Sequence, residues 1–144
     1  MSPMLPAPAP LVGAEARPFW QGALQGKLML PRCCRCRFVI WYPRQFCPEC
    51  GHDCVDWFEA SGRGTIYSAT AVRRGEGAYR EVAEYVLALV ELEEGPRVLT
   101  NIVDCEPAQL QIGQPVQALF CPAGEEAALL RFRPLTTSTT ELPR

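Results

Sequence analysis

The chain has 144 residues, 48% of them hydrophobic, which is enough for one packed domain or two small ones. Its 14 basic residues are balanced by 16 acidic ones, so no global positive field points to nucleic acid. Thirteen of the basic residues are Arg and only Lys27 is Lys, a bias that reads as genome composition more than as phosphate recognition.

MSPMLPAPAPLVG at the start lacks the basic opening and long apolar stretch of a signal peptide, and no run reaches the ~18 apolar residues of a membrane helix. The expected compartment is the cytoplasm. There, eight cysteines point to a metal more than to a disulfide framework. Residues 1–14 are rich in Pro and Ala and read as a disordered arm, as does the tail 136–144.

ARPFWQGALQGKLML reads as a helix with Pro18 in its first turn. Phe19, Trp20, Ala23, Leu24 and Leu28 form its apolar face, while Gly22 and Gly26 weaken it. This helix and a lead-in strand fill residues 15–31. Phe19 and Trp20 are either core residues or a face that docks on another protein.

Residues 32–60 hold the sequence's main signal. Six of the eight cysteines and the single histidine fall between residues 32 and 54. Cys33 with Cys36, and Cys47 with Cys50, form two C-x-x-C pairs separated by ten residues. Each pair can turn two sulfurs and its backbone amides onto one ion, and two pairs suit tetrahedral Zn2+. Four protein ligands leave no open position, so such a metal is structural. Iron in the same cage would give a redox centre, but no companion redox motif is present. Cys54 and His52 are possible substitute ligands. Otherwise His52 is an exposed ribbon residue and Cys54 a small apolar residue entering a strand. FVIWYPRQF between the pairs is expected to form two short ribbon strands.

Residues 61–135 turn to strand patterns. TIYSATAVRR (65–74), EYVLALVELEE (84–94), VLTNIVD (98–104), PVQALFCP (115–122) and AALLRFRP (127–134) are the candidates, with a short helix over 106–113. Five antiparallel strands with a helix between the third and fourth is the order of an OB-fold barrel. The expected fold is therefore mainly β: an N-terminal helix, a rubredoxin-like zinc ribbon and a five-stranded OB barrel. Cys105 and Cys121 are expected in the barrel as small hydrophobes. The SGRG segment (61–64) reads as a turn into the first strand more than as a phosphate nest.

Enzyme motifs are missing. There is no G-x-S-x-G, P-loop, G-x-G-x-x-G or H-E-x-x-H. The only histidine lies within the cysteine cluster, and Glu91, Glu93 and Glu94 read as a solvated strand end. Arg32, Arg35, Arg37 and Arg44, interleaved with Phe38, Trp41, Tyr42 and Phe46, make the one local case for single-stranded nucleic acid. The competing reading packs the rings against the barrel and leaves the arginines in solvent.

PFW, the C-x-x-C knuckle, YPR, CPECG, Trp57, SGRGTIYS, VLALVELEEGPRVLTNIVD, IGQPV and RFRP occur in an order that resembles the OB-fold, zinc-ribbon acyl-CoA-associated family, formerly a domain of unknown function. The resemblance spans roughly residues 17–135. It implies a non-catalytic accessory subunit that stabilises a thiolase-superfamily enzyme: a lipid-transfer-protein-like thiolase, an acyltransferase or a steroid side-chain aldolase. It also implies association, in some members, with a hotdog-fold enoyl-CoA hydratase. A two-plus-two heterotetramer is the assembly expected, because thiolases are dimers. The zinc ligands it implies are Cys33, Cys36, Cys47 and Cys50. Expected partner contacts are Phe19, Trp20, Arg73, Arg74 and Tyr79, and expected acyl-CoA contacts are Arg35 and Arg44. Two departures from the family pattern are Arg37, where the first knuckle usually has Gly, and AEY (83–85) in place of Pro-Tyr.

Overall fold

The computed structural model describes residues 4–135. The expectation for the tail 136–144 falls outside them.

The first helix, α1 (Arg17–Leu24), is shorter than the sequence pattern implies. Its end is set by Gly26, which takes φ +73°. The Gly26 amide donates to the Ala23 carbonyl (3.0 Å) and the Lys27 amide to the Gly22 carbonyl (2.8 Å), the two bonds of a Schellman cap. Leu28 therefore leaves the helix and leads into strand β1 (Met29–Cys33). Gly22 has a separate role: a Cβ there would lie 2.4 Å from the Met29 side chain, so only glycine lets the chain fold back this closely.

Strand β1 pairs antiparallel with β2 (Val55–Glu59), from Met29 opposite Glu59 to Cys33 opposite Val55. These strands flank the cysteine cluster. FVIWYPRQF does not form the two strands expected; its only ladder contact is one bridge between Arg32 and Val39. The segment links the two cysteine turns and borrows its backbone bonds from β1: the Ile40 amide donates to the Pro31 carbonyl (2.8 Å), and the Phe38 carbonyl accepts from the Cys33 amide (2.9 Å).

The remaining strands are β3 (Arg63–Val72), β4 (Tyr85–Leu92), β5 (Arg97–Ile102), β6 (Pro115–Pro122) and β7 (Ala128–Pro134). They close a barrel in the order β3-β4-β5-β7-β6. The connection expected as a helix over 106–113 is only a single 3-10 turn, Pro107–Gln109. Closure is thin at two seams. Strands β3 and β6 pair over three residues, and β5 and β7 share one ladder pair, Ile102 with Phe132, beside a bond from the Thr100 hydroxyl to the Leu130 carbonyl (2.9 Å). Gly62 serves the first of these seams, since a Cβ there would sit 2.8 Å from the Gln117 side chain of β6, while Gly64 lets β3 approach β4, where a Cβ would sit 2.6 Å from the Glu91 carbonyl oxygen.

One core joins these parts. Phe132, Val90, Val98, Val116 and Ile66 fill the barrel, and Phe19, Trp20, Leu28 and Leu30 belong to the same cluster. Phe19 and Trp20 are 2% and 8% exposed. Their expected partner-docking role gives way to packing, because α1 lies on β1, β6 and β7. Trp41 from the ribbon meets Phe19 edge-on at 5.5 Å and ties ribbon to helix.

The composition of residues 1–14 pointed to disorder, yet residues 4–13 lie along the barrel. Val12 packs on the core, and the carbonyls of Leu5 and Pro6 accept hydrogen bonds from the Arg131 side chain. Proline-rich chain is already extended, so holding it in place costs less entropy than holding an ordinary coil.

Candidate metal centre

The two C-x-x-C turns are built alike. The Arg37 amide donates to the Cys33 carbonyl (3.0 Å), as the Gly51 amide does to the Cys47 carbonyl (2.9 Å). The Cys33 amide donates to the Phe38 carbonyl (2.9 Å), as the Cys47 amide does to the His52 carbonyl (2.8 Å). Arg37 and Gly51 thus occupy the same position in the two turns, with φ of +68° and +79°. A left-handed backbone penalises any residue with a Cβ. Arg37→Gly should keep the metal and stabilise the protein by about 0.5–1 kcal/mol, net of the entropy a glycine adds to the unfolded chain. Thermal unfolding of the metal-loaded protein checks this.

The turns bring the sulfurs of Cys33, Cys36, Cys47 and Cys50 within 4.8 Å of one another. Cys33 and Cys50, and Cys36 and Cys47, each have sulfurs 3.5 Å apart. A tetrahedron with metal–sulfur bonds of ~2.3 Å has edges of about 3.8 Å, so the cage fits one such ion. All four sequence-selected ligands converge, and no fifth ligand joins them. Cys33 and Cys47 are buried beside Ile40, so the cage doubles as the ribbon's small core.

Without a metal the sulfurs compete for protons. Cys33 is lowered to about 6, chiefly by the Cys36 amide, which points at its sulfur from 3.5 Å. Cys36 is raised to about 12: the Phe38 amide lowers it, but burial and the neighbouring sulfurs of Cys47, Cys50 and Cys33 outweigh that. A depressed thiol stabilises the fold above its ordinary value of 9 and loses that contribution as pH falls through about 6. A metal ion takes the place of these protons, so loading should release protons and weaken as pH falls, which a competition titration at several pH values checks.

Cys54 departs from expectation. It is exposed and bonded to Cys34, with Cα atoms 5.6 Å apart. The Cys34 amide donates to the Cys54 carbonyl (3.0 Å), which makes the two residues neighbours at the open ends of β1 and β2. A separation of 20 residues gave no hint of that pairing. His52 takes a hydrogen bond from Arg35 and stands outside the cage.

The other selected residues scatter. Arg73 forms an exposed ion pair with Glu84 at 3.5 Å, and Arg74 is exposed. Arg44 donates to the Tyr42 carbonyl (3.3 Å). Tyr79 is half-buried, and its hydroxyl donates to the Pro6 carbonyl (3.1 Å). Glu91 pairs with Arg97 at 2.9 Å, and Glu94 accepts from the Ser61 amide, so they form no acid–base dyad. Trp41 is committed to Phe19 and Arg32 lies over Phe58, which takes two members from the stacking set that single-stranded nucleic acid needs. Arg131 was not singled out from the sequence. In RFRP it reads as one more outward-facing strand residue, yet it is 2% exposed.

A closed-sphere cysteine ribbon joined to an OB barrel defines the class: a small metal-ribbon OB-fold protein. The match to known proteins narrows it. Residues 20–53 match the family model for the ChsH2 rubredoxin-like zinc ribbon domain, and residues 57–120 match that for the ChsH2 C-terminal OB-fold domain. A DUF35 domain-containing scaffold protein of Methanothermobacter thermautotrophicus is 38% identical over 96 residues, covering 66% of this chain and 72% of that protein. The chain belongs to this DUF35/ChsH2 family. A probable enoyl-CoA hydratase alpha subunit of Thermomonospora curvata is 35% identical over 127 residues, 88% of this chain; the chain spans only 40% of that protein's length. Among solved structures, a chain of the Ltp2-ChsH2(DUF35) aldolase superposes with a TM-score of 0.77 at 35% identity, covering 87% of this chain and 98% of that one.

Proposed function

We propose that this chain is a non-catalytic accessory subunit of a thiolase-superfamily acyl-CoA enzyme, and that its ribbon holds one structural Zn2+. The likeness to the DUF35 chain of the Ltp2-ChsH2 aldolase, over nearly all of that chain, carries the reading. The described residues support it, since they hold no histidine- or carboxylate-based catalytic set. Four thiolates at tetrahedral spacing suit zinc, and the likeness to a zinc ribbon domain supports zinc over iron.

The surface for such a partner is an apolar groove of about 300 Å³ between α1, the Trp41–Tyr42 segment and the outer face of β4 and β5. Leu99 stands 66% exposed at its edge, beside Leu87 and Tyr42. The buried indole Nε1 of Trp20, which borders the groove, has no acceptor within the described residues. Arg35 and Arg44, both exposed, are the candidates to reach the phosphates of a coenzyme A held by the partner. The assembly is a two-plus-two heterotetramer in the cytoplasm.

A tagged pull-down from native lysate, with mass spectrometry and light scattering, tests this. A stoichiometric thiolase-type partner supports it. A hotdog-type hydratase alone moves the assignment to the hydratase branch, and co-purifying nucleic acid with no protein partner overturns it. Leu99→Glu should weaken the purified complex about 100-fold, because it would place an unpaired carboxylate against the partner's apolar surface, while the subunit's own melting temperature changes little. An unchanged complex would move the docking surface elsewhere.

A further inference from the structure

Arg131, on the outer face of β7, is a buried cation without a counter-ion. Its Nη1 donates to the Leu5 carbonyl (3.3 Å), and its Nη2 donates to the Pro6 carbonyl and to the Tyr79 hydroxyl (3.2 Å). Its Nε has no partner. Among the described residues the ion pairs are Arg73 with Glu84 and Arg97 with Glu91, and no carboxylate pairs with Arg131. A guanidinium stays charged at all working pH values, and neutral carbonyls compensate a buried charge poorly.

Beside it lies a cavity of about 340 Å³ whose walls include Leu5, Val82, Val86, Ile102 and Leu119. A cavity with apolar walls, one buried cation and three carboxylates at its border suits an amphiphilic anion of low charge. The rim narrows the choice. Glu84, Asp104 and Glu106 border the cavity and are exposed, so they repel multiply charged phosphates far more than a single carboxylate. The arm residues that cover Arg131 hold it through main-chain carbonyls, neutral acceptors that bind a guanidinium less strongly than a carboxylate does.

We propose that this cavity binds a free monocarboxylic acid with an apolar body of about eight carbons. Arg131 and Tyr79 take the carboxylate, and residues 4–6 act as a placeholder that the ligand lifts away. The proposal concerns the isolated chain and does not depend on any partner enzyme.

Calorimetry on the full metal-loaded chain tests it, with octanoate and its neutral isostere octanamide as probes. Octanoate should bind saturably and at least ~10-fold more tightly than octanamide, the margin a buried charge-assisted contact supplies. Arg131→Gln should erase that preference. Should that variant fail to fold, Tyr79→Phe retains the cation and should weaken octanoate ~3- to 10-fold. Pro6→Gly, which lies outside the cavity lining, loosens the arm and should tighten octanoate ~3-fold. Equal binding of the two probes, or no saturable heat up to about 10 mM, overturns the proposal. Unchanged octanoate affinity in the Pro6→Gly variant overturns the placeholder role.

Discussion

Cys33→Ala should release the bound metal and unfold residues 33–55 while the barrel persists. The ribbon's own core is Cys33, Ile40 and Cys47 with Val55 against it, and two of the three buried members are ligands. So few apolar side chains offset little of the entropy lost in ordering this segment. Metal binding, worth on the order of 10 kcal/mol at structural sites, is the largest single contribution that holds it. Removing one thiolate leaves three ligands and an open position, and the turn amides lose their acceptor. Elemental analysis should find well under one metal per chain. Hydrogen exchange should show loss of protection at the knuckle amides of Cys33, Arg37, Cys47 and Gly51, with the β4–β5 ladder still protected. Protected knuckles in the metal-free variant would show that side-chain packing, not metal, holds the ribbon.

The second large effect falls on Trp20. Trp20→Ala should cost about 3–5 kcal/mol and lower the melting temperature by roughly 10–15 °C. The indole is 8% exposed, stacked edge-on to Phe19 at 4.9 Å, and packed within the barrel cluster. Its Nε1 makes no hydrogen bond, so the loss is one of packing alone. Such a variant should bind a partner poorly because the helix that borders the groove loosens. Trp20→Phe, which keeps much of the buried volume, should recover more than half of the stability. A melting temperature within a few degrees of the parent for Trp20→Ala would mean that α1 contributes little to the core.

The barrel was legible in the sequence because its strands alternate. Val86, Ala88, Val90 and Leu92 face inward at every second position, and turn residues separate the runs. The metal cage was legible because two C-x-x-C pairs ten residues apart suit the four corners of one tetrahedral ion. Three features were hidden, each for a physical reason. The end of α1 turned on one glycine that could equally have been a helix-interior defect. Burial of Phe19 and Trp20 depended on which surface α1 meets, and an amphipathic pattern looks the same whether it faces its own barrel or a partner. Arg131 was concealed by the same alternation that revealed its strand: an outward position predicts solvent unless another segment covers it. That segment, residues 4–6, is held through backbone carbonyls, which leave no side-chain signature.

The thin seams of the barrel have a consequence in time as well as in space. Strands β4 and β5 meet across a turn, with Glu91 opposite Arg97, and β6 and β7 likewise pair as a hairpin, with Pro122 opposite Ala128. Each can zip locally. The closing contacts join residues far apart along the chain: Ile102 with Phe132, and Arg63 with Gln117. Loop closure over such distances carries the larger entropic barrier and is repaid by few hydrogen bonds. The expected order of assembly is therefore hairpins first and ring closure last, and the ring should breathe open at these same seams long before it melts.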